Sequence, residues 1–135
     1  MQYWLVKTEP DAFSWQDMVT QKKAVWDGVR NYTARNHLKT MQIDDLVLIY
    51  HSVVGKEVVG FGRIVTTAYP DPTTDDERWV AVEIVPVTAL PTPVTLADIK
   101  AEPALADLPL IRQSRLSVMP VDESAFKLIL QKGGL

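Results

Sequence analysis

The chain has no cysteine. That absence removes disulfides, thiolate nucleophiles and every thiolate-held zinc or iron–sulfur centre, and it suits a reducing compartment. Histidine is nearly as scarce, with only His37 and His51. A zinc hydrolase needs about three N, O or S ligands at defined spacing, and no HExxH-type pair occurs, so neither a metal nor another cofactor is expected. No run approaches the ~20 apolar residues that cross a bilayer, and Lys7, Glu9 and Asp11 interrupt the N-terminus where a signal peptide needs its apolar stretch. The expectation is a cytoplasmic protein with no membrane partner. There is no GxxxxGK[ST] phosphate loop and no GxSxG elbow, which leaves nucleotide hydrolysis and the usual serine-hydrolase arrangement unsupported. Gly60-Phe61-Gly62 opens like a dinucleotide fingerprint, but Val65 stands where the third glycine belongs and the segment reads as strand, so close packing or a bulge explains it better.

A strong charge of one sign is also missing. The net charge is −3, without the polybasic character that drives nonspecific nucleic-acid binding. The charges are unevenly placed, however. Lys22, Lys23, Arg30, Arg35 and Lys39 face a single Asp27 between Gln21 and Thr40, whereas Asp71, Asp75, Asp76 and Glu77 crowd another stretch beside Arg78. The basic stretch suits a phosphate backbone, with Lys22, Lys23, Arg35 and Lys39 as contact candidates; a solvated helix face accounts for it equally well.

What is present reads as one domain of mixed elements. Gln2 to Lys7 reads as a strand, and Ser14 can cap a short helix carrying Trp15, Met18 and Val19. Asp27-Gly28 marks a turn before a helix over Asn31 to Met41, in which Ala34, Leu38 and Met41 face a core. Leu46 to Ser52, Val58 to Ala68 and Trp79 to Val87 are β-branched-rich strands expected to pair as antiparallel neighbours. Pro91 and Pro93 are expected to break the run, Thr95 to cap a helix reaching Lys100, and Arg115 to Val118 to form a last strand. Asp122 can cap a C-terminal helix with Phe126, Ile129 and Leu130 on one face, ended by Gly133. Strands with helices inserted, and no regular alternation, point to an α+β fold with a curled or closed sheet.

Candidate chemistry is sparse. His51 and Ser52 are neighbours on a strand and point to opposite faces, so they form no dyad. Lys7 and Glu9, two apart, share a face and suit an acid–base couple, a binding pair or a structural ion pair. The unusual stretch is WDGVRNYTARN, Trp26 to Asn36. Trp26 or Tyr32 offers a stacking face, Asn31 and Asn36 offer paired donor and acceptor groups for a base edge, and Arg30 can meet phosphate or a base carbonyl. The competing explanation is that the aromatics belong to the core and the asparagines cap the following helix.

Those residues also carry a resemblance. WLVKTEP (Trp4 to Pro10), WDGVRNYTARN, Tyr50-His51-Ser52, Tyr69-Pro70-Asp71 and Arg115-Leu116-Ser117-Val118 occur in the same order as in the EVE-domain family, end to end; Thr8 departs from the serine more usual there. The resemblance implies a single EVE domain over residues 1–135. Its fold would be PUA-like, a curled or closed, mostly antiparallel β-barrel with helices packed around it, related to the YTH domains that hold N6-methyladenosine in an aromatic cage. It implies a noncatalytic reader whose partner is nucleic acid, DNA or RNA, carrying a modified base, with modified cytosine in DNA as one candidate and the identity of the base open. On the matching positions, Trp26 would be the stacking platform with Arg30 and Asn31 beside it, Lys7, Thr8 and Glu9 would come from the first strand, Tyr50, His51 and Ser52 from a central one, and Arg115 and Ser117 from the last. Tyr69 and Asp71 read as structural. Two alternatives stand: an enzyme acting on a nucleotide or RNA through Lys7, Glu9 and His51 in the same pocket, and a protein-interaction module.

Overall fold

The computed structural model describes Met1–Leu135. Its elements are β1 (Tyr3–Thr8), α1 (Trp15–Gln21), β2 (Ala24–Trp26), α2 (Tyr32–Thr40), β3 (Leu46–His51), β4 (Glu57–Pro70), β5 (Val80–Thr95), α3 (Leu96–Lys100), a 3-10 turn over Pro103–Leu105, α4 (Pro109–Arg112), β6 (Val118–Val121) and α5 (Glu123–Lys132). The helix starts follow local chemistry. Ser14, Asn31, Thr95 and Asp122 each accept, through the side chain, a hydrogen bond from the N–H three residues on, which satisfies a donor the first turn would leave unpaired. Ala34 and Leu38 in α2, and Phe126 and Ile129 in α5, turn into a continuous core of 31 buried residues. No helix is long and apolar enough to cross a membrane.

One mixed sheet runs β2-β5-β4-β3-β1-β6. The β3, β4 and β5 strands are antiparallel neighbours as expected. The β1 strand lies parallel to β3, Lys7 opposite Tyr50, because the intervening chain crosses over through both early helices and β2. Trp4, Leu5 and Val6 of β1 and Val47 to Tyr50 of β3 are buried in unbroken runs, as strands covered on both faces must be. Of the two expected forms, curled or closed, the sheet takes the curled one, and no closed barrel is formed. The three-residue β2 pairs only with β5 and the four-residue β6 only with β1, so the two edges never meet and the sheet is curled but open.

Two boundaries differ from expectation. Pro91 and Pro93 do not end β5. Pairing with β4 jumps from Gly60–Ala89 to Val58–Val94, so both prolines fall in a bulge where no ladder N–H is required. The last strand is Val118–Val121 rather than Arg115 to Val118: Leu116 N–H turns back to Gln113 O, and only from Ser117, whose carbonyl accepts from Lys7 N–H, does the chain run beside β1. Strand β2 was not foreseen at all.

The glycines of the Gly60-Phe61-Gly62 stretch are packing glycines. A methyl on Gly60 would sit 2.8 Å from the Trp15 ring, and one on Gly62 would sit 2.6 Å from Val85 O. Because the second obstacle is backbone, Gly62→Ala is expected to cost about 1–3 kcal/mol by overpacking, read as a lower urea midpoint with an unchanged slope. An unchanged midpoint would show that β4 and β5 can move apart there.

Candidate functional site

A cleft of about 850 Å³ opens between the end of β1, the Ala12–Phe13 turn and the segment from β2 to Arg30, with Ser117 on its far side. Strand β2 places Trp26 by pairing it with Val82. Trp26 is 7% exposed and meets Phe13 edge-on, ring centroids 6.3 Å apart at 87°, so the two form one aromatic wall. Thr8 Oγ1 donates to Phe13 O at 2.7 Å and holds that turn against β1.

After Trp26 the chain turns through Gly28 at φ +75, the left-handed region that glycine enters freely. Asp71 pins this turn. Its fully buried carboxylate accepts from Gly28 N–H at 2.9 Å and from Arg30 Nη1 at 2.9 Å on one oxygen, and from Thr73 N–H and Oγ1 on the other. Burial by itself would raise the Asp71 carboxyl, but these hydrogen bonds from Thr73, Arg30 and Gly28 outweigh it and hold the group far below the usual carboxylate range. The Arg30 guanidinium also lies 5.6 Å from the Trp79 ring, which in turn packs against Tyr32. Tyr69, read like Asp71 as structural, donates to Glu83 at 2.8 Å; burial and that bond push its hydroxyl up to about 12.

Lys7 brings a cation to the cleft. Its Nζ donates to Ser114 O at 2.8 Å and lies 5.9 Å from the centre of the Tyr50 ring, and no carboxylate is within ion-pair range. Partial burial pushes its pKa down. Asp27, also in the lining, has a side chain with no hydrogen-bond partner of its own. The cleft thus offers an ammonium donor, a carboxylate acceptor and an aromatic wall.

Of the residues singled out from sequence, Lys7, Thr8, Trp26, Arg30 and Ser117 line this cleft, together with Lys23, which is paired with Glu83 at 2.9 Å. The others lie elsewhere. Strand β1 ends at Thr8, so alternation no longer carries Glu9 to the face of Lys7; Glu9 is exposed and its carbonyl accepts from Ala12 and Phe13 N–H. Tyr50 is buried, His51 Nε2 accepts from Trp15 N–H at 3.0 Å, and Ser52 N–H donates to Thr8 O. Lys7, Glu9 and His51 therefore do not share one pocket. Asn31 caps α2, and Asn36 Oδ1 accepts from Arg35. Asn31 and Arg115 line a separate, more polar cleft of about 350 Å³. Tyr32 is exposed with the Arg35 guanidinium 4.9 Å over its ring, while Lys22 ends α1 with positive φ and Lys39 is exposed on α2. Phe13 was overlooked; its only signal was an aromatic in the turn after WLVKTEP.

Comparison with known proteins agrees with this architecture. The EVE domain model matches residues 2–132. Mouse thymocyte nuclear protein 1 is 35% identical over 95% of this chain and 72% of its own. A crystal structure of a protein from Agrobacterium tumefaciens superposes with a TM-score of 0.98 at 40% identity, covering 100% of this chain and 94% of that one. Human THYN1 protein, in a crystal structure in complex with 5-methylcytosine-containing DNA, superposes with a TM-score of 0.92 at 29% identity, over 100% and 99% of the two chains. This chain belongs to the EVE domain family.

Proposed function

We propose that this chain, as a single EVE domain, binds a modified base of DNA in the Trp26 cleft without altering it chemically, and that a 5-substituted cytosine is the foremost ligand. The observation that carries the reading is the company Lys7 keeps: an ammonium without a carboxylate partner in a cleft also lined by the Phe13–Trp26 wall and by Asp27, whose carboxylate makes no hydrogen bond. A cytosine edge presents an exocyclic amino donor and ring acceptors, which Asp27 and Lys7 complement. A 5-methyl group seeks apolar surface, which Phe13, Trp26 and Val25 provide in the lining. The human relative with methylated DNA supports the same ligand class. A base paired inside a duplex reaches such a cleft only when it is swung out of the stack, at a cost of a few kcal/mol that stacking worth about 1–3 kcal/mol per base helps offset.

The test is fluorescence anisotropy on matched duplexes carrying cytosine, 5-methylcytosine or 5-hydroxymethylcytosine at one position, with RNA of the same sequence as a further arm. One modified DNA is expected to bind about tenfold or more tightly than the unmodified one, in keeping with about 1–3 kcal/mol for a methyl-sized difference in an apolar site. Raising salt should weaken all of them in parallel, because phosphate contacts carry no base information. Recovered oligonucleotide should be unchanged in mass. Equal affinity across the series would reject the reading.

A further inference from the structure

The loop joining β3 to β4 carries two adjacent valines that no fold requirement explains. Val53 is 65% exposed and Val54 is 54% exposed, and neither packs against the hydrophobic core. Val53 has φ +67, and Val54 N–H donates back to Ser52 O at 2.7 Å, which makes a γ-turn of the rare positive-φ kind. A β-branched residue in that region is a steric outlier, so the turn is strained and must be held from outside. It is held on both flanks: Ser52 N–H donates to Thr8 O at 2.9 Å, and Leu96 N–H donates to Lys56 O at 2.8 Å.

Those anchors also locate the tip. Thr8 lines the Trp26 cleft, and Val53 and Val54 follow Ser52 by one and two Cα steps of about 3.8 Å, so the apolar pair stands within about 12 Å of the Thr8 backbone. Beside the tip, Lys56 and Lys100 line a shallow depression together with Gly55, Thr95, Leu96 and Ala97; the Glu57 carboxylate lies against Gly55, but neither lysine takes part in an ion pair. An exposed apolar point with free cations at its side matches the way proteins enter a base stack, apolar side chains filling the step while lysines meet the phosphates.

We infer that the Val53–Val54 tip is a wedge that occupies the space left in a DNA duplex when a base is swung into the Trp26 cleft. The inference rests on the proposed base-binding function. A strained, rigidly anchored turn suits this role, because a flexible tip would lose conformational entropy on insertion whereas this one is already fixed.

The double substitution Val53→Gly, Val54→Ser separates the wedge from the cleft. Glycine accepts the positive φ, so the variant should fold and melt at or above the wild-type temperature. Its affinity for a duplex carrying the modified base is expected to fall at least tenfold, while its affinity for the same modified oligonucleotide as a single strand stays within twofold. With 2-aminopurine placed next to the modified base, the fluorescence rise on binding duplex should be largely lost in the variant. Unchanged duplex affinity would overturn the wedge. An equal fall on duplex and single strand would overturn it too, because the tip would then touch the strand without filling a gap. A changed sedimentation coefficient with intact duplex binding would assign the valines to self-association instead, and also overturn it. If the unsubstituted protein binds modified and unmodified single strands alike, it is the cleft reading that fails.

Discussion

Replacing Asp71 with alanine is expected to cost about 3 kcal/mol of stability and most of the affinity for a modified base. Asp71 sits 43 residues from Gly28 and 41 from Arg30, yet its carboxylate joins both to Thr73 through four hydrogen bonds. Removing one partner of a buried pair costs about 3–5 kcal/mol; the lower end applies because the Arg30 side chain is 41% exposed and water recovers part of its loss. Asparagine is expected to do little better. Three of the four groups around the carboxylate are N–H donors, and the Thr73 hydroxyl, which could accept, shares its oxygen with Thr73 N–H, so an amide NH2 must face an N–H on either side. The pH dependence follows from the same bonds. The folded pKa lies below the unfolded value, so the contribution is fully present above about pH 4 and is lost progressively as pH falls below it. Urea unfolding should show a wild-type advantage over Asp71→Ala that is constant from pH 5 to 7 and narrows toward pH 2. A gap independent of pH would mean that the loss is one of packing rather than of the ionised carboxylate. Binding should fail in the variant because the turn that presents Trp26 and Arg30 is no longer fixed.

The dependence of the site on Asp71 marks the boundary of what a single chain reveals when read in order. Ser14, Asn31, Thr95 and Asp122 were legible as helix caps because a cap acts three residues along its own chain. The antiparallel β3–β4–β5 core was legible because strand alternation and turn residues are local too. Strand β2 was not, since Ala24–Trp26 is a strand only by virtue of pairing with Glu83 and its neighbours far along the chain. Pro91 and Pro93 misled for the same reason: whether proline breaks a strand depends on which N–H groups the partner requires, and here a bulge in the β4–β5 pairing requires none. At the site, Trp26, Arg30 and Lys7 stood out by residue type and family resemblance. The face each strand turns to the cleft did not stand out: of Tyr50, His51 and Ser52, Tyr50 does lie beneath Lys7 but is buried and outside the cleft lining, and His51 serves the start of α1. Residue type and motif membership do not separate such structural residues from ligand-facing ones; the contacts do.

Trp26→Ala should abolish discrimination between modified and unmodified DNA. The side chain closes the aromatic wall with Phe13 and is 7% exposed, so alanine removes both the apolar surface for the base and a part of the core. The second effect alone is worth about 3–5 kcal/mol of folding stability, and a loss of binding by an unfolded variant would carry no information. Trp26→Phe keeps a ring at the end of β2 and is expected to fold with a smaller loss, while its shorter ring leaves the cleft wider. The measured quantity is the ratio of affinities for modified and unmodified duplex. It should fall to near one in Trp26→Ala and to an intermediate value in Trp26→Phe, with the affinity for unmodified DNA nearly unchanged in both, since that affinity comes from phosphate contacts. Tyr32→Ala is the control. Tyr32 is the neighbouring aromatic most available to solvent, 51% exposed, but it lies on Trp79 and outside the cleft lining, so its loss should leave the ratio within twofold. A ratio that collapses in Tyr32→Ala and survives in Trp26→Phe and Trp26→Ala would move the base from the cleft to the exposed face formed by Tyr32, Arg35 and Arg78.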